Sequence, residues 1–458
     1  MNQLSEFIGA KVEAQRAYFR SGATLSRKFR VRQLLKLKEA LAVWEKPLCE
    51  ALWKDLHKSY EEAFMTELSI VKGEIDNHLR HLKRWMRSEH PHSPIKMFPS
   101  RTRIASQPLG TALIIAPWNY PVQLLLNPLV GAISAGCTAV LKTSPSVPNT
   151  SQVLIQMIGC TFEEHYITCL GGHRDINTAL LEQHFDMIFF TGSPSLGKVV
   201  MEAAAKNLTP VVLELGGKSP CIVDKGADVE VAAKRIAWGK TINAGQTCIA
   251  PDYVLIHTSL KEHFVEAFGR AVRALHGTNP AESKHYGRIV SDKAFERLVG
   301  YLAEGKVVVG GENDKASRYI APTLLEIKSV YTKVMQEEIF GPILPIVIFE
   351  NREEEVVEFI ADRPHPLALY YFGEPQEAQK ILRHTLSGGA CVNDTIMHIV
   401  NEHAPFGGVG ASGMGRYHGK ESFLAFSHRR TIVTTPRCFD LPLRYMPYRL
   451  FGLIRRML

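Results

Sequence analysis

The chain has 458 residues, 45% of them hydrophobic, and its 54 Lys and Arg against 46 Asp and Glu give a formal net charge of +8. That length exceeds what one hydrophobic core usually holds and predicts two or three domains, and the apolar content excludes an intrinsically disordered chain. The basic excess is interleaved with acids and accompanies no nucleic-acid motif, so it predicts a solvated surface with no DNA or RNA partner.

The first residues, MNQLSEFIGAKVEAQRAYFR, carry Glu6 and Glu13 and lack the continuous apolar core of a secretory signal. Residues 25–90 predict helices, because Leu34, Leu37, Leu41, Trp44 and Leu48 recur at three- and four-residue steps. From His90 to Arg101, Pro91, Pro94 and Pro99 exclude helix and predict an extended linker or edge strands. Next come short apolar runs at 111–115, 138–142, 166–170, 187–191 and 210–214, spaced widely enough for intervening helices. That alternation predicts a doubly wound parallel sheet of dinucleotide-binding type, although the GxGxxG fingerprint is absent. It restarts after residue 215, with strand-like runs at 252–258, 306–311, 345–349, 367–372 and 390–393, which predicts a second α/β domain. The stretch LPLRYMPYRLFGLIRRML from Leu441 is basic and apolar, too short and too charged to span a bilayer; it is read either as a tail packed on protein or as a membrane-surface segment.

Eight cysteines (Cys49, Cys137, Cys160, Cys169, Cys221, Cys248, Cys391, Cys438) include no CxxC pair and read as thiols, which fits a reducing cytoplasm. Cys248 stands in TINAGQTCIA, where Gly245 allows tight backbone geometry and Asn243, Ala244, Gln246 and Thr247 are small or polar enough to leave room for a ligand. A lone cysteine is more often a small buried hydrophobe than a nucleophile, so its neighbours must decide. Glu214, in LELGGKSP, ends an expected strand and reads either as a general base in the crevice or as a turn-capping acid. Asn119, in IIAPWNYP, follows another strand, where its amide can donate to an oxyanion or simply shape a turn. Gly192 and Ser193, with Gly197 beyond, form a glycine turn into a helix N-terminus, which stabilises a pyrophosphate. The 18 histidines include no HExxH motif and no Cys/His cluster with ligand spacing, so no metal is expected; His418 and His428 read as structural.

Asn119, Lys142, the Gly192 turn, Glu214 and Cys248, in that order, resemble the aldehyde dehydrogenase superfamily. The likeness continues through QEEIFGPILP (336–345) and PFGGVGASGMGRYHGKESFLAFSHRR (405–430), and the latter looks most like the class-three branch of fatty and aromatic aldehyde dehydrogenases. The resemblance implies a Rossmann-like cofactor domain over 1–81 and 105–213, a catalytic α/β domain over 214–420, bridging or oligomerisation segments at 82–104 and 421–440, and a homodimer. It makes Cys248 the nucleophile, Glu214 the base, and Asn119 with the Cys248 backbone N–H the oxyanion hole. Lys142 then holds the adenosine ribose, Gly192, Ser193 and Gly197 form the pyrophosphate turn, and Glu338 and Phe340 contact the nicotinamide ribose. The activity implied is NAD(P)-dependent oxidation of medium- or long-chain aliphatic or aromatic aldehydes through a thiohemiacetal and a thioester. An acylating or reductive relative, and a non-catalytic dinucleotide- or membrane-binding protein, are the alternatives; Glu214 argues for hydrolysis. One departure stands out: the family's K-P-S-E is KTSP here, so Pro145 replaces the ribose-binding glutamate, and use of NADP beside NAD is expected.

Overall fold

Thr111–Ile115, Thr138–Lys142, Ile167–Leu170, Met187–Thr191 and Val211–Glu214 are runs of four or five largely apolar residues, short enough for strands and suited to burial on both faces. In the computed structural model, which describes residues 3–350, 355–440, 445–448, 451, 452 and 455, these runs pair in parallel. Their spatial order is 211–214, 187–191, 111–115, 138–142, 167–170. Helices Gln123–Ala135, Pro148–Thr161, Arg174–Leu181 and Pro194–Ala205 make the crossovers. The order reverses between 111–115 and 187–191, and the carboxyl ends of those two strands open into Asn119 and Gly192, the place where such sheets bind ligands.

The N-terminal residues, read from sequence only as lacking a signal, form the helix Gln3–Arg20. Its Ile8 and Val12 pack with Leu113, Ile115 and Phe185 on one face of this sheet. Helices Arg27–Val43, Glu45–Leu56 and Ser69–Trp85 bury Leu34, Leu37, Leu41 and Leu48, the face that the periodicity predicts. A π-helical turn, Phe64–Leu68, leads into the last of them.

The second sheet has seven strands in the order 389–392, 368–372, 220–223, 253–257, 343–349, 323–327, 305–309. All pair in parallel except the edge strand Gly305–Val309, which runs antiparallel to Thr323–Ile327. The chain passes from the first sheet to the second through Leu215–Ser219, so the carboxyl end of Val211–Glu214 leads into the amino end of Pro220–Val223. Residues 413–414, placed from sequence within 214–420, return to the first sheet, where Gly413 pairs antiparallel with Glu214. The proline-rich linker contains one 3-10 turn, Ile95–Met97, before Arg101–Pro108 pairs with Ser427–Thr434 in a two-stranded antiparallel ribbon. Among the described residues no helix is long and apolar enough to cross a membrane. Of the tail expected at 441–458, residues 441–444, 449, 450, 453, 454 and 456–458 lie outside the described residues.

Candidate active site

The helix Val229–Thr241 is followed by Asn243, Ala244 and Gly245, with φ of 50°, 52° and 73°. Three successive left-handed residues are unfavourable for L-amino acids, so surrounding bonds must hold them. The Asn243 N–H donates to Glu62 Oε1 at 2.8 Å, and its side-chain Nδ2 donates to the carbonyls of Asn119 at 2.9 Å and Gln246 at 3.2 Å. Gln246 Nε2 donates to the Asn243 and Arg288 carbonyls, each at 3.0 Å, while its Oε1 accepts from Val290 N–H at 2.9 Å. A Cβ on Gly245 would sit 2.3 Å from the Gly341 carbonyl oxygen, so only glycine fits. The expectation that Asn243, Ala244 and Gln246 leave room for a ligand is therefore corrected: they are the buried frame of the loop. Thr247 and Cys248 face the cavity.

Asn119 is buried, and its Nδ2 donates to Gln246 O at 3.0 Å, which leaves the amide a second N–H to offer. Its carbonyl accepts from Lys58 Nζ at 3.1 Å, and Lys58 in turn pairs with Glu67 at 2.6 Å with both side chains fully enclosed. Glu67 Oε2 accepts the Val122 and Gln123 N–H groups, at 2.8 and 3.3 Å, so this ion pair pins the turn that carries Asn119. Glu214 is buried at the end of its strand with neither carboxylate oxygen bonded among the described residues, and enclosure raises its carboxyl well above the ordinary carboxylate range. Cys248 is pushed up to about 12 by enclosure first, then by the charges of Glu338 and Glu214.

The crevice fits a dinucleotide. Lys142 is buried and donates to the Thr143 and Gly172 carbonyls at 2.6 and 2.8 Å, leaving one N–H for a ligand; desolvation lowers it to about 8. Thr191 Oγ1 is buried at the switch point without a protein partner. The Gly192 N–H is already used on the Glu214 carbonyl at 3.0 Å, and a Cβ there would meet the Phe190 ring at 2.6 Å, so Gly192 lets the turn pack against that ring rather than supplying a donor. Ser193 caps the helix Pro194–Ala205 through Leu196 N–H at 3.4 Å, and Gly197 lets that helix lie against Leu215, where a Cβ would come within 2.8 Å. Glu338 accepts from Gly217 N–H at 3.1 Å, and its carboxyl is raised to about 8 by enclosure and by Asp252. A Cβ on Gly216 would lie 2.3 Å from that carboxylate. Phe340, at φ 50°, sets its ring edge-on to Trp118 at 5.3 Å. Pro145 is exposed just past the strand that carries Lys142.

A cavity of about 400 Å³ reaches Cys248, walled by apolar side chains such as Leu124, Trp238, Ile249, Leu275, Ile396 and Phe406. Tyr120 and Tyr417 also line it, and the Tyr120 hydroxyl bonds Thr247 Oγ1 at 2.7 Å. Neither tyrosine, nor the Lys58–Glu67 pair, nor Thr191 was singled out from sequence, since nothing local marks them. Among the described residues no group of three His, Cys, Asp or Glu side chains is arranged to hold a metal ion.

A doubly wound sheet with a switch-point crevice, a second α/β sheet and an apolar pocket that ends on a cysteine thiol together define an α/β protein of the dinucleotide-binding class. The aldehyde dehydrogenase family profile matches residues 4–432. The 4,4'-diaponeurosporen-aldehyde dehydrogenase of Staphylococcus aureus is 44% identical over 96% of this chain and 97% of its own. Human aldehyde dehydrogenase family 3 member B1 is 45% identical over 96% of this chain and 94% of its own, and the dog dimeric NADP-preferring aldehyde dehydrogenase is 42% identical over 98% of both. The substrate-bound structure of Staphylococcus aureus AldH superposes with a TM-score of 0.96 at 42% identity, covering 98% of this chain and 99% of that one. The chain belongs to the aldehyde dehydrogenase family, with class-three members among its relatives, and is an NAD(P)-dependent oxidoreductase that converts aldehydes to carboxylic acids.

Proposed function

We propose that this aldehyde dehydrogenase oxidises medium- and long-chain aliphatic or aromatic aldehydes, with Cys248 as nucleophile, Asn119 and the Cys248 N–H as oxyanion hole, and Glu214 as base. The carrying observation is the apolar cavity of about 400 Å³ that ends on Cys248. Such a volume and lining suit a substrate body with one polar end.

Cys248 rests as a neutral thiol, so its proton must leave as sulfur attacks the aldehyde carbon, and a carboxylate with the raised proton affinity of Glu214 is a better acceptor than an ordinary one. Attack places negative charge on the aldehyde oxygen, where the second Asn119 N–H and the Cys248 N–H stabilise it. The bound dinucleotide supplies the hydride acceptor and, when oxidised, a positive ring that offsets charge in the site. Collapse of the adduct leaves a thioester on Cys248. Glu214 gives that first proton up to solvent before deacylation; it then takes a proton from water as the water oxygen bonds to the thioester carbon, and the carbon–sulfur bond breaks to release the acid, the sulfur regaining its proton from Glu214. The apolar walls keep other water out.

Lys142, the Ser193 helix terminus, Gly192, Gly197, Glu338 and Phe340 form the cofactor side of this reading. With Pro145 in place of a glutamate, one repulsion against a 2′-phosphate is removed, so NADP serves as well as NAD or better; the name of the dog relative, at 42% identity, supports this. We further assign the first sheet with residues 1–81 and 105–213 to cofactor binding and 214–420 to catalysis, apart from the returning strand Gly413–Met414. The exposed ribbon of 101–108 and 427–434, with Leu196 and Val199 exposed at 56% and 49%, supports a homodimer. Cytoplasmic residence with peripheral membrane contact through 441–458 completes the reading; Tyr445, Met446, Tyr448 and Phe451 of that tail are exposed.

The test is the initial rate of cofactor reduction with a medium-chain aldehyde, with NAD and NADP side by side, on wild type and Cys248→Ala. Loss of turnover in the variant with dinucleotide binding retained is expected; more than a few per cent residual turnover places the nucleophile elsewhere. A large NAD preference in kcat/KM removes the role given to Pro145.

A further inference from the structure

Tyr417 is wholly buried and lines the cavity that ends on Cys248, yet its hydroxyl has no bonding partner among the described residues. Both carboxylate oxygens of Glu214 share that condition. Buried polar atoms nearly always find partners, so orphans gathered around one thiol mark a place where a further molecule belongs. The fold brings the two residues together: Gly413 pairs across from Glu214, and the chain continues four residues to Tyr417. Its position is rigid, with backbone bonds to Phe406 at 2.9 and 3.0 Å and its ring edge-on to Phe189 at 5.1 Å and Phe406 at 5.8 Å. Burial first, then the charges of Glu214 and Cys248, push its phenol well up, so it keeps its O–H at working pH.

We propose that Tyr417 holds the deacylating water together with Glu214. The Tyr417 O–H donates to one lone pair of the water oxygen, a Glu214 oxygen accepts one water hydrogen, and the other lone pair faces the thioester carbon. In the step itself the water oxygen bonds to that carbon, its proton passes to Glu214, and the carbon–sulfur pair leaves with Cys248. The inference rests on the roles given above to Cys248 and Glu214.

Tyr417→Phe removes only an unpartnered oxygen, so the variant folds with an unlowered Tm. The measurement is the decay of acylated Cys248 by mass spectrometry after a single turnover, beside the burst of reduced cofactor on rapid mixing. The expected result is acyl-enzyme decay slowed tenfold or more, burst rate within about twofold of wild type, and recovery of decay by hydroxylamine, a small nucleophile that needs no positioned water. Unchanged decay overturns the proposal, as does equal slowing of burst and decay, which assigns Tyr417 to aldehyde binding. Cys248→Ala and Glu214→Gln run alongside keep the two levels apart. Turnover by Cys248→Ala overturns the nucleophile itself. A dead Cys248→Ala and a slow-decaying Glu214→Gln beside a wild-type-like Tyr417→Phe overturn only the role of Tyr417.

Discussion

The roles proposed for Asn119 and Glu214 place them under opposite constraints. Asn119 is held through both its side chain and its main chain, Nδ2 donating to Gln246 O at 3.0 Å and the backbone carbonyl accepting from Lys58 Nζ and Asn243 Nδ2, so its second N–H is positioned before substrate arrives. Asn119→Ala is expected to lower kcat by about 10²–10³, the usual loss for one oxyanion donor, with a much smaller change in cofactor KM. Steady-state kinetics checks it, and a fall below tenfold contradicts the assignment. The Glu214 carboxylate has no hydrogen-bond partner among the described residues, and burial raises it above the roughly 4.3 of an unfolded glutamate. The folded protein therefore favours the protonated form: this contribution to stability is complete below the unfolded value and is lost as pH rises through the folded one. Glu214→Gln should raise Tm relative to wild type more at pH 9 than at pH 5; an equal difference at both contradicts the raised value. Activity follows the other sign, because the base acts only when deprotonated, so the acid limb of kcat should lie above the ordinary carboxylate range and vanish in the variant.

At the scale of elements, the loop after helix Val229–Thr241 is the least tolerant part of the site. Gly245→Ala sets a Cβ 2.3 Å from the Gly341 carbonyl at a φ of 73°, and a loss of about 2 kcal/mol or more with collapse of turnover is expected in urea unfolding and rate assays. Lys58→Met leaves Glu67 buried without its cation and should cost about 3–5 kcal/mol while loosening the Asn119 turn; an unchanged unfolding midpoint contradicts that. The strands at 111–115 and 187–191 were legible because apolar runs between helices admit few other readings. Pro220–Val223 and Thr323–Ile327 went unread, although both lie inside the second sheet. Four residues carry too little pattern, and TLLEI suits a helix as well as a strand, so position between neighbours decided them. The helix Gln3–Arg20 was missed for a related reason: its buried face includes Ser5 and Gln15, the latter bonding Ala139 O at 2.9 Å, which no apolar count detects.

At the scale of the molecule, the proposed site lies where the carboxyl end of one sheet leads to the amino end of the next, and the connection Leu215–Ser219 joins them within five residues. None of the described tail residues, 445–448, 451, 452 and 455, lines the cavity at Cys248, so deleting 441–458 should leave kcat unchanged while abolishing co-sedimentation with anionic vesicles. Vesicle binding that survives the deletion removes the membrane role given to the tail. The sequence alone singled out Cys248, Glu214 and Asn119 as the candidates for chemistry and determined that Asn119, Gly192 and Glu214 follow or end strands, because strand, turn and helix starts are set by local pattern. Tertiary structure decided what those residues meet. The frame role of Asn243 and Gln246, the Lys58–Glu67 pin beneath Asn119 and the orphan hydroxyl of Tyr417 beside Glu214 join positions far apart in the chain. Only packing brings such positions into reach, since the desolvation that defines each of them exists only once both sheets have closed over the site.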